Sequence, residues 1–253
     1  MSHGKREMVS VCMAVFNGER YVREQLDSIL AQLTDEDEVI IVDDCSRDRT
    51  VDLIQDLRDS RIAILRNQTN VGPVMSFERA IARAKGRYIF LSDQDDIWKP
   101  NKVASTCEIF ESTDCLVVVS DANIVTADRS ESLGSFFSLR QSGSGFWRNL
   151  YKNGFIGCCM ALRFDAKSFM LPFPVDVGLH DEWIGLCSSI AGRVIFSDQQ
   201  LIDYRRHEQN YSQLARGSLP SMIRKRLRLM SAIATRLPQI LRWRACHGRP
   251  RSP

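Results

Sequence analysis

Three carboxylates fall within four residues in the segment Ser92-Asp93-Gln94-Asp95-Asp96-Ile97-Trp98. Carboxylates this close repel one another unless a cation compensates. Hard oxygen ligands at the end of a strand suit magnesium or manganese, typically shared with substrate phosphates. A solvated acidic turn would use the same residue types. Four further clusters carry chemistry. Asp43 and Asp44 could accept hydrogen bonds from a base N–H or from ribose hydroxyls. Ser46 or Asp48 would cap the following helix, which leaves two acids at a strand end without a local purpose. Asn17-Gly18-Glu19 reads either as a plain strand-to-helix turn or as a place where Gly18 lets backbone approach a ligand closely. In His180-Asp181-Glu182-Trp183 the acids complement a helix N-terminus, and Asp181 could also remove a proton from an attacking hydroxyl. Tyr204-Arg205-Arg206-His207-Glu208-Gln209-Asn210 offers cations and a histidine, able to neutralise a departing diphosphate or to ligate a metal, or else marks an exposed strand end.

Other chemistries lose support. There is no Walker A sequence and no G-x-G-x-x-G after a strand, which argues against ATPase and dinucleotide-binding readings. Serine-nucleophile elbows are absent, and His3, His180, His207 and His247 show no zinc spacing. The eight cysteines form no C-x-x-C and several lie in apolar runs, so they are expected to be reduced core residues of a cytosolic protein.

These residues need a scaffold, and the first 120 residues alternate strand and helix patterns. Strands are expected over 8–16, 38–43, 61–66, 87–91 and 115–119. Helices are expected over 19–32, 48–58, 76–85 (closed by Gly86 as C-cap) and from Pro100 through Phe110. Such alternation predicts a parallel sheet with helices on both faces, whose ligands bind at the carboxyl ends of the strands. Three acidic or polar clusters would then share one rim. Beyond it, Ala127 to Gly145 reads as a loop rich in Ser and Gly, Phe155 to Arg163 as an apolar strand or buried segment, and His180 to Ala191 as a helix. Arg193 to Phe196 and Gln200 to Arg206 read as two strands.

Taken in order, these motifs resemble the inverting family 2 glycosyltransferases with the GT-A fold, over nearly all of residues 8–215. The resemblance rests on Val11-Cys12-Met13-Ala14-Val15-Phe16-Asn17-Gly18-Glu19, the helix Glu24 to Gln32, Val42-Asp43-Asp44-Cys45-Ser46, Asn70-Val71-Gly72, and Phe90 to Trp98 with Pro100 and Lys102. With His180-Asp181-Glu182-Trp183 and Tyr204-Arg205-Arg206-His207-x-x-Asn210, the chain is similar in particular to bacterial rhamnosyltransferases that build O-antigen and other surface polysaccharides. It departs from them at Ala14 and Phe16, where the family usually has Pro and Tyr.

The resemblance implies a Rossmann-like, mostly parallel mixed α/β sheet and an inverting transfer from a dTDP- or UDP-sugar to a glycan or lipid-linked acceptor. It also implies the roles. Ala14, Phe16 and Glu19 line the nucleoside pocket, and Asp43 or Asp44 reads the base. Asp93 lies near the ribose, and Asp95 holds a divalent cation (magnesium or manganese). Asp181 is the catalytic base. Arg206 and His207 close over the diphosphate, His207 as a second metal ligand. A sugar-nucleotide pyrophosphorylase and a non-catalytic nucleotide-sugar binding module are the rival readings. Pyrophosphate release marks the first, and absence of turnover marks the second.

The charge arithmetic adds a division. The chain of 253 residues carries +3 overall, with 44% apolar and 26% charged residues, the composition of a globular domain. From Gln209 to Pro253 there are 10 Lys or Arg and no acid, so the remainder carries 24 basic and 31 acidic residues, a net of −7. We therefore expect a glycosyltransferase domain over 1–215, with a nucleotide-binding half of about 8–120 and an acceptor half of about 121–215. Residues 216–253 form a basic amphipathic helical tail. Its apolar residues recur at helical spacing among arginines, with Pro238 expected to kink or split it. Such a helix reads as membrane-surface binding or as packed on the body. Nucleic acid is disfavoured, since no recognition motif accompanies the charge. The polar start Met1 to Glu7 and the lack of a long apolar run predict neither signal peptide nor spanning helix. That places the protein in the cytoplasm, at the inner face of the cytoplasmic membrane.

Overall fold

A computed structural model describes residues 6–175, 177–207 and 219–247. The expected boundary near residue 215 and the motif residues Glu208 to Asn210 lie outside the described residues.

The first half follows the sequence pattern. Strands β1 (Val9–Val15), β2 (Glu38–Asp43), β3 (Ile62–Arg66) and β4 (Tyr88–Ser92) alternate with helices α1 (Val22–Leu30), α2 (Thr50–Gln55) and α3 (Pro73–Arg83). Strand β1 pairs in parallel with both β2 and β4, and β2 with β3. Val9, Val11, Cys12 and Met13 are fully buried, as a strand covered on both faces requires. Helix α1 buries Val22, Leu26 and Ile29, and α3 buries Phe77, Ala80 and Ile81, each at three- and four-residue spacing.

The remainder turns the sheet into a mixed one. The elements are β5 (Ile97–Trp98), α4 (Lys102–Ser112), β6 (Val117–Thr126), β7 (Ser132–Ser135), α5 (Phe136–Arg140), α6 (Phe146–Tyr151), β8 (Met160–Arg163), α7 (Lys167–Met170), α8 (His180–Ala191), β9 (Val194–Arg206) and α9 (Leu219–His247). The sheet order is β3-β2-β1-β4-β8-β6-β9-β5, with β7 on β6. Strand β8 runs antiparallel to both β4 and β6, and β9 runs parallel to β6.

The sheet is mixed and mostly parallel as expected, with β8 returning antiparallel beside β4. Several other expectations need correction. Gly86 does not cap α3, which ends at Ala84 in an extended conformation. A Cβ at Gly86 would lie 2.4 Å from the Ser10 backbone nitrogen, so glycine there permits close approach of two strands. Pro100 precedes its helix, which starts at Lys102 after Asn101. The expected loop over 127–145 contains β7 and α5, because Asp121 accepts from Phe137 N at 2.9 Å and from Ser135 Oγ at 2.6 Å. The two strands expected over 193–206 form one, β9, with register shifts opposite Ser120 to Asn123. Pro238 lies inside a single helix.

Helix α9 packs on α7 and α8 through Leu229, Ile233 and Ile240, all buried. Burial of three aliphatic side chains stabilises this docking by about 5–9 kcal/mol as an upper estimate. Among the described residues, no helix is long and apolar enough to cross a membrane.

Candidate active site

Parallel pairing brings the carboxyl ends of β1, β2 and β4 to one rim, and a cavity of about 540 Å³ opens there. Ala14, Phe16, Asp44, Asp93 and Asp95 line it from the strand ends. Phe136, Arg140, Asn153, Phe155, Gly157, His180, Asp181, Tyr204 and Arg206 line it from the second half. A neighbouring cavity of about 320 Å³ shares Phe16 and Asn70 and adds Asn17, Cys45, Arg47, Gln68 and Thr69.

The first motif is held by hydrogen bonds to its neighbours. Asn17 takes a φ of 48°, which asparagine tolerates. Its amide donates to Ser46 Oγ at 3.0 Å and its Oδ1 accepts from Arg47 N at 2.9 Å. Glu19 Oε2 accepts from Arg49 N at 3.0 Å, so Glu19 ties the turn to α2 and does not line either cavity. Gln94 clamps Phe16: its Oε1 accepts from Phe16 N at 2.8 Å and its Nε2 donates to Phe16 O at 3.1 Å. A Cβ at Gly18 would meet Gln94 Oε1 at 2.4 Å. The space that glycine leaves is therefore taken by Gln94, not kept open for a ligand.

Asp43 and Asp44 separate. Asp43 is fully buried, accepting from Ser46 N and from Arg66 Nε at 3.1 Å, away from both cavities. Asp44 reaches the cavity wall, and its carboxylate accepts from Asn67 Nδ2, Val71 N and Gly72 N at 2.8–2.9 Å. It thereby fixes the loop that opens α3. Asp48 accepts from Thr50 N at 3.0 Å, one turn residue ahead of α2.

The three acids after β4 separate only in part: Asp95 turns to His207, while Asp93 and Asp96 stay close together. Asp95 Oδ2 lies 2.8 Å from His207 Nε2. Asp96 is fully buried, and its Oδ1 accepts from Arg205 N at 3.1 Å, joining the acidic turn to β9. Asp93 and Asp96 converge on Cys158, with one ligand-type atom from each within 4.8 Å of the others. Burial, then the charges of Asp95 and Asp181, push Asp93 up to about 7. Burial, then the charges of Asp95 and Asp93, raise Asp96 as well. Asp95 supplies a carboxylate oxygen, a donor that suits magnesium or manganese, beside the His207 imidazole nitrogen, a donor suited to transition metals and not to magnesium; both are mostly buried.

His207 is positioned by Tyr21, which the sequence reading did not single out. Its ring stacks on Tyr21 at 4.8 Å. Arg205 lies over the same Tyr21 ring at 4.7 Å and pairs with Glu24 at 2.7 Å, which also takes Arg129.

Asp181 opens α8. Burial pushes its carboxyl up to about 7 and the Glu182 charge adds to this, while the amides of Glu182 and Gly157 and the Asn153 side chain draw it back. Asn153 Oδ1 accepts from Phe155 N at 3.0 Å, which orients its amide nitrogen toward Asp181. Beside it, His180 stacks on Phe77 at 4.0 Å. Burial pulls the ring down to about 3, so it is neutral. Glu182 pairs with Arg226 of α9. Asn153, Gly157 and Cys158 carried no sequence signal, because they sit in an aperiodic stretch whose position follows from packing on α8.

The family described as Glycosyl transferase family 2 matches residues 10–168. The glycosyltransferase TuaG of Bacillus subtilis (strain 168), whose name places it in teichuronic acid biosynthesis, is 31% identical over 67% of this chain and 67% of its own length. A protein of Escherichia coli named as UDP-Glc:alpha-D-GlcNAc-diphosphoundecaprenol beta-1,3-glucosyltransferase WfaP is 35% identical over 42% of each chain. Among solved structures, S. aureus TarS residues 1–349 in complex with UDP-GlcNAc superimposes with a TM-score of 0.72 at 18% identity, covering 94% of this chain and 71% of that one. The mannosyltransferase PcManGT from Pyrobaculum calidifontis, in complex with GDP-Man and Mn2+, gives 0.62 at 17% identity, covering 99% and 77%. These two show a shared fold, GT-A-like.

Proposed function

The chain belongs to glycosyl transferase family 2, and from that premise we infer that it moves a sugar from a nucleoside-diphosphate sugar to a hydroxyl of a lipid-linked or polysaccharide acceptor in bacterial surface glycan synthesis, with inversion. One observation carries the reading. A single cavity holds Asp181 together with the strand-end acids Asp93 and Asp95.

In this reading Phe16 and the Asp44-anchored loop hold the nucleoside, with the smaller cavity as the place for a pyrimidine. Asp93 lies at the ribose. Asp95 and His207 hold a divalent cation, which would offset negative charge on the departing diphosphate. Arg206, at the same cavity wall, adds a second cation. Asp181 accepts the proton of the acceptor hydroxyl as it attacks from the face opposite the leaving group. Asn153 and the Gly157 amide aim that carboxylate. A base in this place differs from the covalent nucleophile of retaining glycosidases.

A UDP-sugar is favoured over a dTDP-sugar by the relatives. TarS is titled with UDP and UDP-GlcNAc, and WfaP is named for UDP-Glc and a diphosphoundecaprenol acceptor. Rhamnose is a further candidate for the transferred sugar. The domain reading is unchanged: 1–215 for the transferase, 216–253 for the tail. A lipid-linked acceptor places the enzyme at the inner face of the cytoplasmic membrane. The test is a thermal-shift screen of UDP, dTDP and GDP with and without manganese, followed by the matching sugar donors. A manganese-dependent shift with one nucleotide and release of free nucleoside diphosphate are expected. Pyrophosphate release, or no turnover with any donor, would overturn the reading.

A further inference from the structure

A membrane-face location, proposed above for the lipid-linked acceptor, requires a surface of the protein that holds it there. Helix α9 has two sides of different character. Leu229, Ile233 and Ile240 are buried against the body. On the same side Arg236 donates to Leu171 O at 2.8 Å and Pro172 O at 2.6 Å, and Trp243 meets Phe169 edge-on at 5.1 Å. Docking of the helix is thus accounted for by one face.

A second face, about 100° round the helix from the buried one, is apolar too. Ile223, Leu227, Met230 and Leu241 are 52%, 62%, 46% and 48% exposed. At 3.6 residues per turn their spacing keeps them in one column, about 27 Å long at 1.5 Å per residue. Arg224, Arg228 and Arg242 each follow a member of that column by one residue and are exposed. They form a parallel basic column roughly 100° further round the helix. The helix carries no acid. Large aliphatic side chains left in water on a helix already anchored by its other face serve no packing need.

We propose that the outer face of α9 lies in the interface of an anionic lipid bilayer, with the apolar column at the headgroup–acyl boundary and the arginines on lipid phosphates. A second copy of this chain fits the face less well, since two such helices would bring basic columns together with no acid between them. The placement has a consequence for the site. Arg226, next to Leu227, pairs with Glu182, the residue after Asp181. The lipid-bound helix is thereby joined to the first turn of α8, so an acceptor anchored in the same leaflet meets the cavity at a set height.

The experiment is sedimentation of the full chain with vesicles of phosphatidylcholine alone and with vesicles in which about a third of the lipid is phosphatidylglycerol. Binding to the anionic vesicles only, weakened at high salt, is expected. Arg224→Gln with Arg228→Gln should weaken it about 30-fold, the factor two cations are worth. Leu227→Glu with Met230→Glu should abolish it, with an unchanged melting temperature showing that the exposed substitutions leave the fold intact. Equal binding of wild type to both vesicle types, or wild-type binding by the glutamate variant, would overturn the proposal. So would a solution dimer that the glutamate variant dissolves, which would assign the face to a second copy. Vesicle binding needs no sugar nucleotide, so absence of a UDP-induced thermal shift would count against the transferase reading alone.

Discussion

The two sides of the cavity are built on different principles. The strand-end side takes Phe16 from the end of β1 and its acids from the ends of β2 and β4, where parallel register alone brings them together. Of the acids that line the cavity, Asp44 is held by two loop amides and Asp95 by His207, while Asp93 is a buried carboxyl raised to about 7. The other side takes Asp181 from the first turn of a helix and Asn153 from an irregular loop, and burial dominates there. A side with many partners is suited to hold a ligand in one pose. A carboxyl raised to about 7 can exchange a proton near neutral pH; Asp181 shares that with Asp93, and differs from it in standing on the second half of the chain, away from the strand ends.

The sharpest way to break this contrast is to exchange the roles by mutation. Asp181→Asn should lower turnover by about 10²–10⁴-fold while leaving manganese–UDP affinity unchanged, as read by a nucleotide-release assay and by titration calorimetry. Near-wild-type turnover would remove Asp181 from the base position. Asp95→Ala should do the reverse, weakening manganese-dependent UDP binding by about 100-fold, since even outer partners of a metal ligand are worth about 10–100-fold. Glu24→Gln, which loosens the contacts behind His207, should cost about tenfold in manganese affinity with UDP affinity in the absence of metal unchanged. Unaltered manganese titration in both variants would strip the strand-end side of its cation.

A smaller effect tests whether the strand-end side is preorganised. Gln94→Ala removes both hydrogen bonds to the Phe16 backbone. A loss of about 1–3 kcal/mol is expected, seen as a melting temperature lower by about 3–9 °C, with a raised KM for the donor. An unchanged KM would mean that Phe16 needs no clamp.

The same contrast explains what could be read from the sequence. Strand β2, Glu38–Asp43, and helix α8, His180–Ala191, coincide with their expected ranges because a β-branched run and an acid-opened apolar period are local signals. The shared rim followed from strand–helix alternation. What escaped was every contact whose cause is distant in the chain: Gln94 on Phe16, Tyr21 on His207, Asn153 on Asp181. Gly18 and Gly86 were legible as glycines but not for their reason, which is a neighbour 76 residues away in each case, Gln94 and Ser10. Local chemistry also made Asp43 and Asp44 look equivalent, and only Arg66 and the Val71–Gly72 amides separate them.

The smallest effect concerns stability, and its sign is specific. The Asp181 carboxyl keeps its proton to about 7 in the folded chain, whereas an unfolded aspartate loses it at about 4. Between those values the folded state binds more protons, so stability falls as pH rises through that window. An asparagine resembles the protonated acid and never has to ionise. Asp181→Asn should therefore melt higher than wild type at pH 8. The full shift corresponds to about 4 kcal/mol, but the side chain faces an open cavity, so about 2 kcal/mol is expected, or about 4–8 °C. At pH 4 the two proteins should melt together. The same ionisation gives transfer by the wild type an acid limb with its midpoint near pH 7. A variant that lost turnover and stability alike at pH 8 would make Asp181 a structural residue, and the two sides of the cavity would then differ in origin but not in kind.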